Sequence, residues 1–207
     1  MLSATGLIGR LRLAESAAAG MLSIVPSPKL SELEENAAAS VDLRLGRWFR
    51  TLRPSRTPNL NLMAPSVADK GHVVHTKEYF VPFGEEFILH PRSFVLGITL
   101  EWMRLPSDLG GYVTGKSSLG RRGLVIETAA GIQPGFSGCL ALELSNVGEV
   151  PLALVPGMQI CQIFLHDVGP DPKFAKSQFA GRRKPILGAV MQDPVLQKLT
   201  DSLSHGT

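Results

Sequence analysis

GCLALELSNVGEVPLALVPGMQICQIFL, residues 138–165, holds three short apolar runs separated by two turn signals. Residues 139–144, 152–154 and 159–165 read as strands, and Asn146-Val147-Gly148 and Pro156-Gly157 read as the turns between them. Upstream the pattern repeats. Residues 86–89, 94–100, 111–113 and 124–126 are further apolar runs, punctuated by Pro106-Ser107-Asp108 and Gln133-Pro134-Gly135. Strands recurring roughly every 8–15 residues with turns between them predict an all-β sandwich, jelly roll or barrel. Residues 40–46 alternate strictly, which predicts a half-buried strand with Asp42 and Arg44 on its polar face. A short strand at 22–25 ends at Pro26 and Pro28, and a helix is expected over 5–19 with Gly20 as its stop. Residues 32–36 read as polar and mobile, and 51–69 as a loop or irregular insertion rich in Pro, Asn, Ser and Arg. No repeat of 20–50 residues is present, which excludes a solenoid or propeller.

Composition agrees. The 207 residues suffice for one large domain or two small ones, and 44% hydrophobic with 19% charged excludes a wholly disordered chain. The 21 Gly and 15 Pro against 9 Phe, 2 Trp and 2 Tyr favour short strands and turns over a helical bundle. No uncharged run approaches the roughly 20 apolar residues of a membrane span, so a soluble protein is expected. A net charge of +3 admits an anionic ligand without amounting to a nucleic-acid-binding signature. Cys139 and Cys161 form neither a CxxC pair nor a zinc cluster and read as buried thiols of a reducing compartment. The first 20 residues lack the apolar stretch of a signal peptide, and the expected address is the cytoplasm.

Two stretches carry candidate chemistry. Gly115-Lys116-Ser117-Ser118-Leu119-Gly120-Arg121-Arg122-Gly123 puts two hydroxyls and three cations beside glycines that free the backbone. That is the chemistry of a phosphate cradle, although the order is not that of a Walker loop. A helix start capped by Ser117 or Ser118 is the plainer alternative. In 139–144, alternation puts Cys139, Ala141 and Glu143 on one face and Leu140, Leu142 and Leu144 on the other. An acid in such company is either paired with an arginine of the same sheet or used as a general base. His72, His75, His90, His166 and His205 form no HxE or PCxxC pattern, so zinc chemistry has no signature, and no GxSxG elbow appears. After Asp167 come Gly169-Pro170-Asp171-Pro172 and a basic run with Lys173, Lys176, Arg182, Arg183 and Lys184. This run is either a solvated tail or a flap that closes on an anion. A short helix over 196–203 follows.

Taken together, several of these motifs resemble the dCTP deaminase branch of the dUTPase-like superfamily. The residues are Gly115 to Arg121, Thr128-Ala129, Ile132-Gln133-Pro134-Gly135-Phe136-Ser137-Gly138 and Leu142-Glu143. The strand at 39–46 and Pro156-Gly157-Met158-Gln159-Ile160-Cys161-Gln162, a late phosphate-site motif, complete the series, in order from about residue 20 to 168. The resemblance implies a mainly β fold, a distorted β-barrel or jelly roll with a short N-terminal helix over 1–168, and a flexible C-terminal flap over 169–207. It implies a homotrimer with shared active sites and hydrolysis of dCTP to dUTP and ammonia without zinc, Mg2+ arriving on the triphosphate. Glu143 matches the glutamate that activates water. Ser117 and Arg121 match the residues that hold water and developing charge, the arginine coming from a neighbouring subunit. Lys116, which stands where an arginine is usual, and Ser118 match triphosphate contacts, and Gln162 belongs to the late phosphate-site motif. Gln133, Ala141 and Leu142 match the stretch that reads base and sugar. In the tail, Gln178, Phe179 and Arg182 follow the family's pattern loosely. The implied partners are dCTP and dUTP, with dTTP as a candidate inhibitor, and neither nucleic acid nor membrane.

Two other functions fit the same fold. One is a dUTP diphosphatase, or a bifunctional enzyme performing both steps. Gln133 stands where the family usually has Asp, and an amide cannot accept a proton from water as a carboxylate can. The other is a non-catalytic nucleotide-binding module, against which stand Ser117, Arg121 and Glu143 together.

Overall fold

The computed structural model describes residues 1–13, 21–53, 76–127, 131–169, 179–188, 194–195 and 198–199. Its elements are the helices α1 (Ala4–Leu13), α2 (Leu30–Glu35) and α3 (Ser117–Gly120) and fourteen strands among the described residues. The strands are β1 (Ser23–Val25), β2 (Val41–Arg44), β3 (Trp48–Leu52), β4 (Thr76–Phe80), β5 (Phe87–Leu89), β6 (Phe94–Ile98) and β7 (Trp102–Arg104). Then follow β8 (Leu109–Gly115), β9 (Leu124–Glu127), β10 (Gly131–Ile132), β11 (Ser137–Gly138), β12 (Ala141–Asn146), β13 (Leu152–Leu154) and β14 (Gln159–Asp167).

Two antiparallel sheets carry most of the packing, one ordered β4-β3-β6-β12-β9 and the other β10-β8-β14-β2. Smaller sheets join β1-β7-β11 and β13-β5. Strand alternation explains the core. Leu142 and Leu144 of β12, Val41 and Leu43 of β2, and Ile163 and Leu165 of β14 point inward, while Glu143, Asp42 and Gln162 lie between them on the half-buried faces. In β14 the register slips between Gln159 and Cys161, so the consecutive Ile160 and Cys161 are both buried. This bulge restores the outward aim of Gln162. Helix α1 is pinned by Arg10, whose guanidinium reaches Asp108 at 2.7 Å and Asp167 at 2.8 Å.

Packing divides the chain into two units, Met1–Thr51 with Glu78–Ile186, and Leu52–Lys77 with Leu187–Thr207. In the second, residues 198 and 199 of the helix expected over 196–203 are helical, as are 194 and 195.

The structure corrects several expectations. Residues 32–36 belong largely to α2, where Leu30 packs against the core and Leu33, one turn on, is buried in it. The N-terminal helix is described over Ala4–Leu13, and 14–20 lie outside the described residues. Most of the 51–69 loop lies outside them too, but its first two residues end β3. Strands β3, β4 and β7 have no clean alternation, because Arg50, Lys77, Glu78 and Arg104 interrupt their apolar residues. Neither Ser117 nor Ser118 caps α3. Lys116 occupies that position without a side-chain cap bond, and the helix is a single turn.

Candidate active site

The antiparallel pairing of β14 with β2 on one side and β8 on the other sets Asp42, Gln162 and Thr114 in one cross-strand row. Lys116 follows the end of β8, where Gly115 stands opposite Cys161, and extended backbone carries it toward that row. Lys116 Nζ lies 2.5 Å from Asp42 Oδ2 and 3.5 Å from Gln159 Oε1, and Ser40 Oγ donates to Gln162 Oε1 at 3.3 Å. Three distant segments, 40–44, 116 and 159–162, thus meet in one groove of about 570 Å3. Lys29, which precedes α2, Glu32 of α2, Arg44 and Glu101 add to its polar lining. The Pro156-Gly157 turn is tied to its lining through Arg44. Gly157 has a φ of 93°, which favours glycine, and its carbonyl accepts a 2.8 Å bond from Arg44 Nη1.

Glu101 is the most deeply buried acid in the groove, at 5% exposure. Burial pushes its carboxyl above the usual range, only partly offset by the Arg44 backbone N–H that donates to Oε2 at 2.8 Å. A raised acid favours the folded state while protonated. That stability is present below the ordinary value near 4.5 and is lost as pH rises through the raised one. Thermal melts of wild type and Glu101→Gln between pH 4 and 8 should therefore show the wild type losing stability relative to the variant as pH rises. A difference that stays constant across this range would contradict the assignment.

Glu143 stands on β12 opposite Leu96 of β6, and Leu96 in turn stands opposite Arg50 of β3. The sheet therefore presents Glu143 half-buried on the face that also carries Ala141. Leu142 is fully buried with its side chain in the core, so its contribution to a ligand is limited to the main chain. Ser117, Ser118 and Arg121 are exposed on and just after α3, where Arg122 Nη1 donates to the Ser118 carbonyl at 2.6 Å. Gln133 is exposed before the Pro134-Gly135 turn, and its carbonyl accepts the Phe136 N–H at 3.2 Å. Phe179 is half-buried and Arg182 exposed, while Gln178 lies outside the described residues.

Of the residues expected at the site, the groove brings together Lys116 and Gln162. Ser117, Ser118, Arg121, Gln133, Ala141, Leu142 and Glu143 lie elsewhere on this one chain, on α3, the 133–135 turn and β12. Sequence reasoning missed Asp42 as the partner of Lys116, 74 residues away, and missed Glu101. The signal for Glu101 was the one that marks Glu143, an acid inside an apolar run. Both cysteines are buried free thiols, and burial drives Cys161 up to about 12, out of reach of thiolate chemistry. Among the described residues, no group of three or more His, Cys, Asp or Glu side chains could hold a metal ion. No helix among them is long and apolar enough to cross a membrane.

A family model described as dCTP deaminase-like matches residues 8–168. A dCTP deaminase of Halorubrum lacusprofundi is 47% identical over 133 residues, which are 63% of this chain and 63% of that protein. The chain thus spans about 63% of the length of that curated relative. The crystal structure of 2'-deoxycytidine 5'-triphosphate deaminase from Agrobacterium tumefaciens superposes with a TM-score of 0.55 at 22% identity. That match covers 81% of this chain and 47% of the other, and it fixes the mainly β fold as of that kind.

Proposed function

Since the chain belongs to the dCTP deaminase-like family, we propose that it hydrolyses dCTP to dUTP and ammonia, without zinc, in pyrimidine deoxynucleotide metabolism. The observation that carries this reading is the groove in which Lys116, Gln159 and Gln162 converge, a polar cradle of the kind a triphosphate needs. Magnesium enters with the substrate, bound to the triphosphate. Lys116, Ser118 and Gln162 contact the phosphates, and Gln133, Ala141 and the main chain of Leu142 face base and sugar. Gln178, Phe179 and Arg182 approach from the tail, with residues 1–168 as the catalytic domain and 169–207 as the flap.

Chemistry at C4 of cytosine requires one group to act first as base and then as acid. Glu143 takes a proton from water as its oxygen bonds to C4, and returns it to the departing amino nitrogen. The C4–N bond breaks and ammonia leaves, while the remaining proton of the C4 hydroxyl passes to N3 as the carbonyl of uracil forms. Ser117 and Arg121 hold the water and the developing charge. Arg121 comes from a neighbouring subunit of a homotrimer. Light scattering should give three times the monomer mass, and a fully active monomer would sink that part of the reading.

The working address is the cytoplasm, and dTTP is a candidate inhibitor. Incubation with dCTP and Mg2+, followed by chromatography that resolves dUTP from dUMP, tests the reaction. The expected product is dUTP. Accumulation of dUMP would favour a bifunctional enzyme despite Gln133, and unchanged dCTP would favour a binding module.

A further inference from the structure

The basic run in the tail looks like one undivided cluster in the sequence, yet the structure divides it. The Gly181 N–H donates to the Ser137 carbonyl at 2.7 Å, and the Cys139 N–H donates to the Arg182 carbonyl at 3.0 Å. This strap, residues 181–185, therefore lies along the strand segment that leads into β12. Gly138 makes the approach possible. Its φ is 146°, and a β-carbon there would meet the backbone nitrogens of Gly181 and Arg182 at 3.3 Å.

The next two residues are engaged by aromatic faces. The Arg183 guanidinium sits 4.8 Å from the centroid of Trp102, and Lys184 Nζ sits 3.6 Å from that of Trp48. Lys184 also pairs with Glu78 at 3.2 Å, and Glu78 bonds Arg50 through its other oxygen. Arg50 Nε donates to the Pro185 carbonyl at 2.8 Å, and Pro185 is buried. Trp48 and Trp102 are the chain's two tryptophans, and both are covered by adjacent cations of one strap.

We propose that Trp48 and Trp102 are positioning residues that anchor the strap through Arg183 and Lys184, leaving the exposed side chain of Arg182, whose backbone is held by the pairing, to meet the nucleotide. This rests on the deaminase reading for the identity of the nucleotide, but not for the anchor. Each cation–aromatic contact contributes modestly, and two together are enough to shift a docking equilibrium by about tenfold or more.

The test is limited trypsin digestion of the nucleotide-free protein, following cleavage after Arg182 and Arg183 by mass spectrometry, paired with the Kd for dCTP and Mg2+. In Trp48→Leu/Trp102→Leu, cleavage there should accelerate about tenfold and Kd should rise severalfold. Trp48→Phe/Trp102→Phe keeps two aromatic faces and should restore slow cleavage and tight binding. If the leucine variant does not fold, Arg183→Gln/Lys184→Gln replaces two exposed side chains, and chymotrypsin cleavage after Phe179 gives the same readout. Wild-type cleavage rates in the leucine or glutamine variants overturn the anchor. Faster cleavage with unchanged Kd overturns the positioning role. A wild type that binds no dCTP overturns the deaminase reading, while the digestion still decides the anchor.

Discussion

Glu143→Gln is expected to lower the rate of dCTP deamination by a factor of about 10²–10⁴, the range typical of a lost general base. The substitution keeps size and shape and removes the charge together with the capacity to take and return a proton. Its site is a half-buried position of β12 whose neighbours Leu142 and Leu144 are fully buried, so the strand's packing is left intact. The nucleotide Kd should change little, because in the proposed mechanism the phosphates are held from Lys116 and Gln162, not from β12. The control is thermal unfolding, with a melting point within about 4 °C of the wild type for a chain of this length. If Glu143 is only a structural member of the sheet, the opposite pattern results: a clear loss of stability, with activity falling in proportion to unfolded protein.

Lys116→Gln should weaken binding of dCTP and Mg2+ by about 10–100-fold, the worth of one charge-assisted hydrogen bond to phosphate. The measurement is calorimetric titration at constant ionic strength, with kcat measured separately. A drop in kcat close to that of Glu143→Gln, with Kd unchanged, would move Lys116 from the phosphates to the reacting base. The salt dependence is informative as well. Lys116 and Asp42 already satisfy one another at 2.5 Å, with side chains 26% and 34% exposed. An incoming triphosphate must compete with Asp42 for the ammonium. Asp42→Asn should therefore leave the fold intact and make the wild-type and variant affinities diverge most at low salt.

Periodicity made the strands legible wherever apolar and polar residues alternate, as in Val41-Asp42-Leu43-Arg44 and Ala141-Leu142-Glu143-Leu144. It failed where the strand's exposed face carries long charged side chains over buried stems. Trp48-Phe49-Arg50-Thr51-Leu52 reads as irregular, yet only Phe49 needs to reach the core. Helix α2 was hidden by its brevity, since six residues offer only Leu30 and Leu33 as an apolar pair. Lys116 and Gln162 were legible as candidate phosphate contacts because each sits in a local motif. Asp42 and Glu101 were not. The partnership of Asp42 with Lys116 is made by strand pairing across 74 residues, and no local spacing records it. The strap was half legible, with its charge visible in sequence. The division of labour among Arg182, Arg183 and Lys184 depends on Trp48 and Trp102, which come from two separate strands.

The most direct measurement is ammonia release from dCTP by the purified protein in Mg2+ buffer, with and without a zinc-selective chelator. The account predicts one ammonia per dUTP formed and the same rate in both arms. No ammonia, or a rate abolished by the chelator and restored by added zinc, would contradict it.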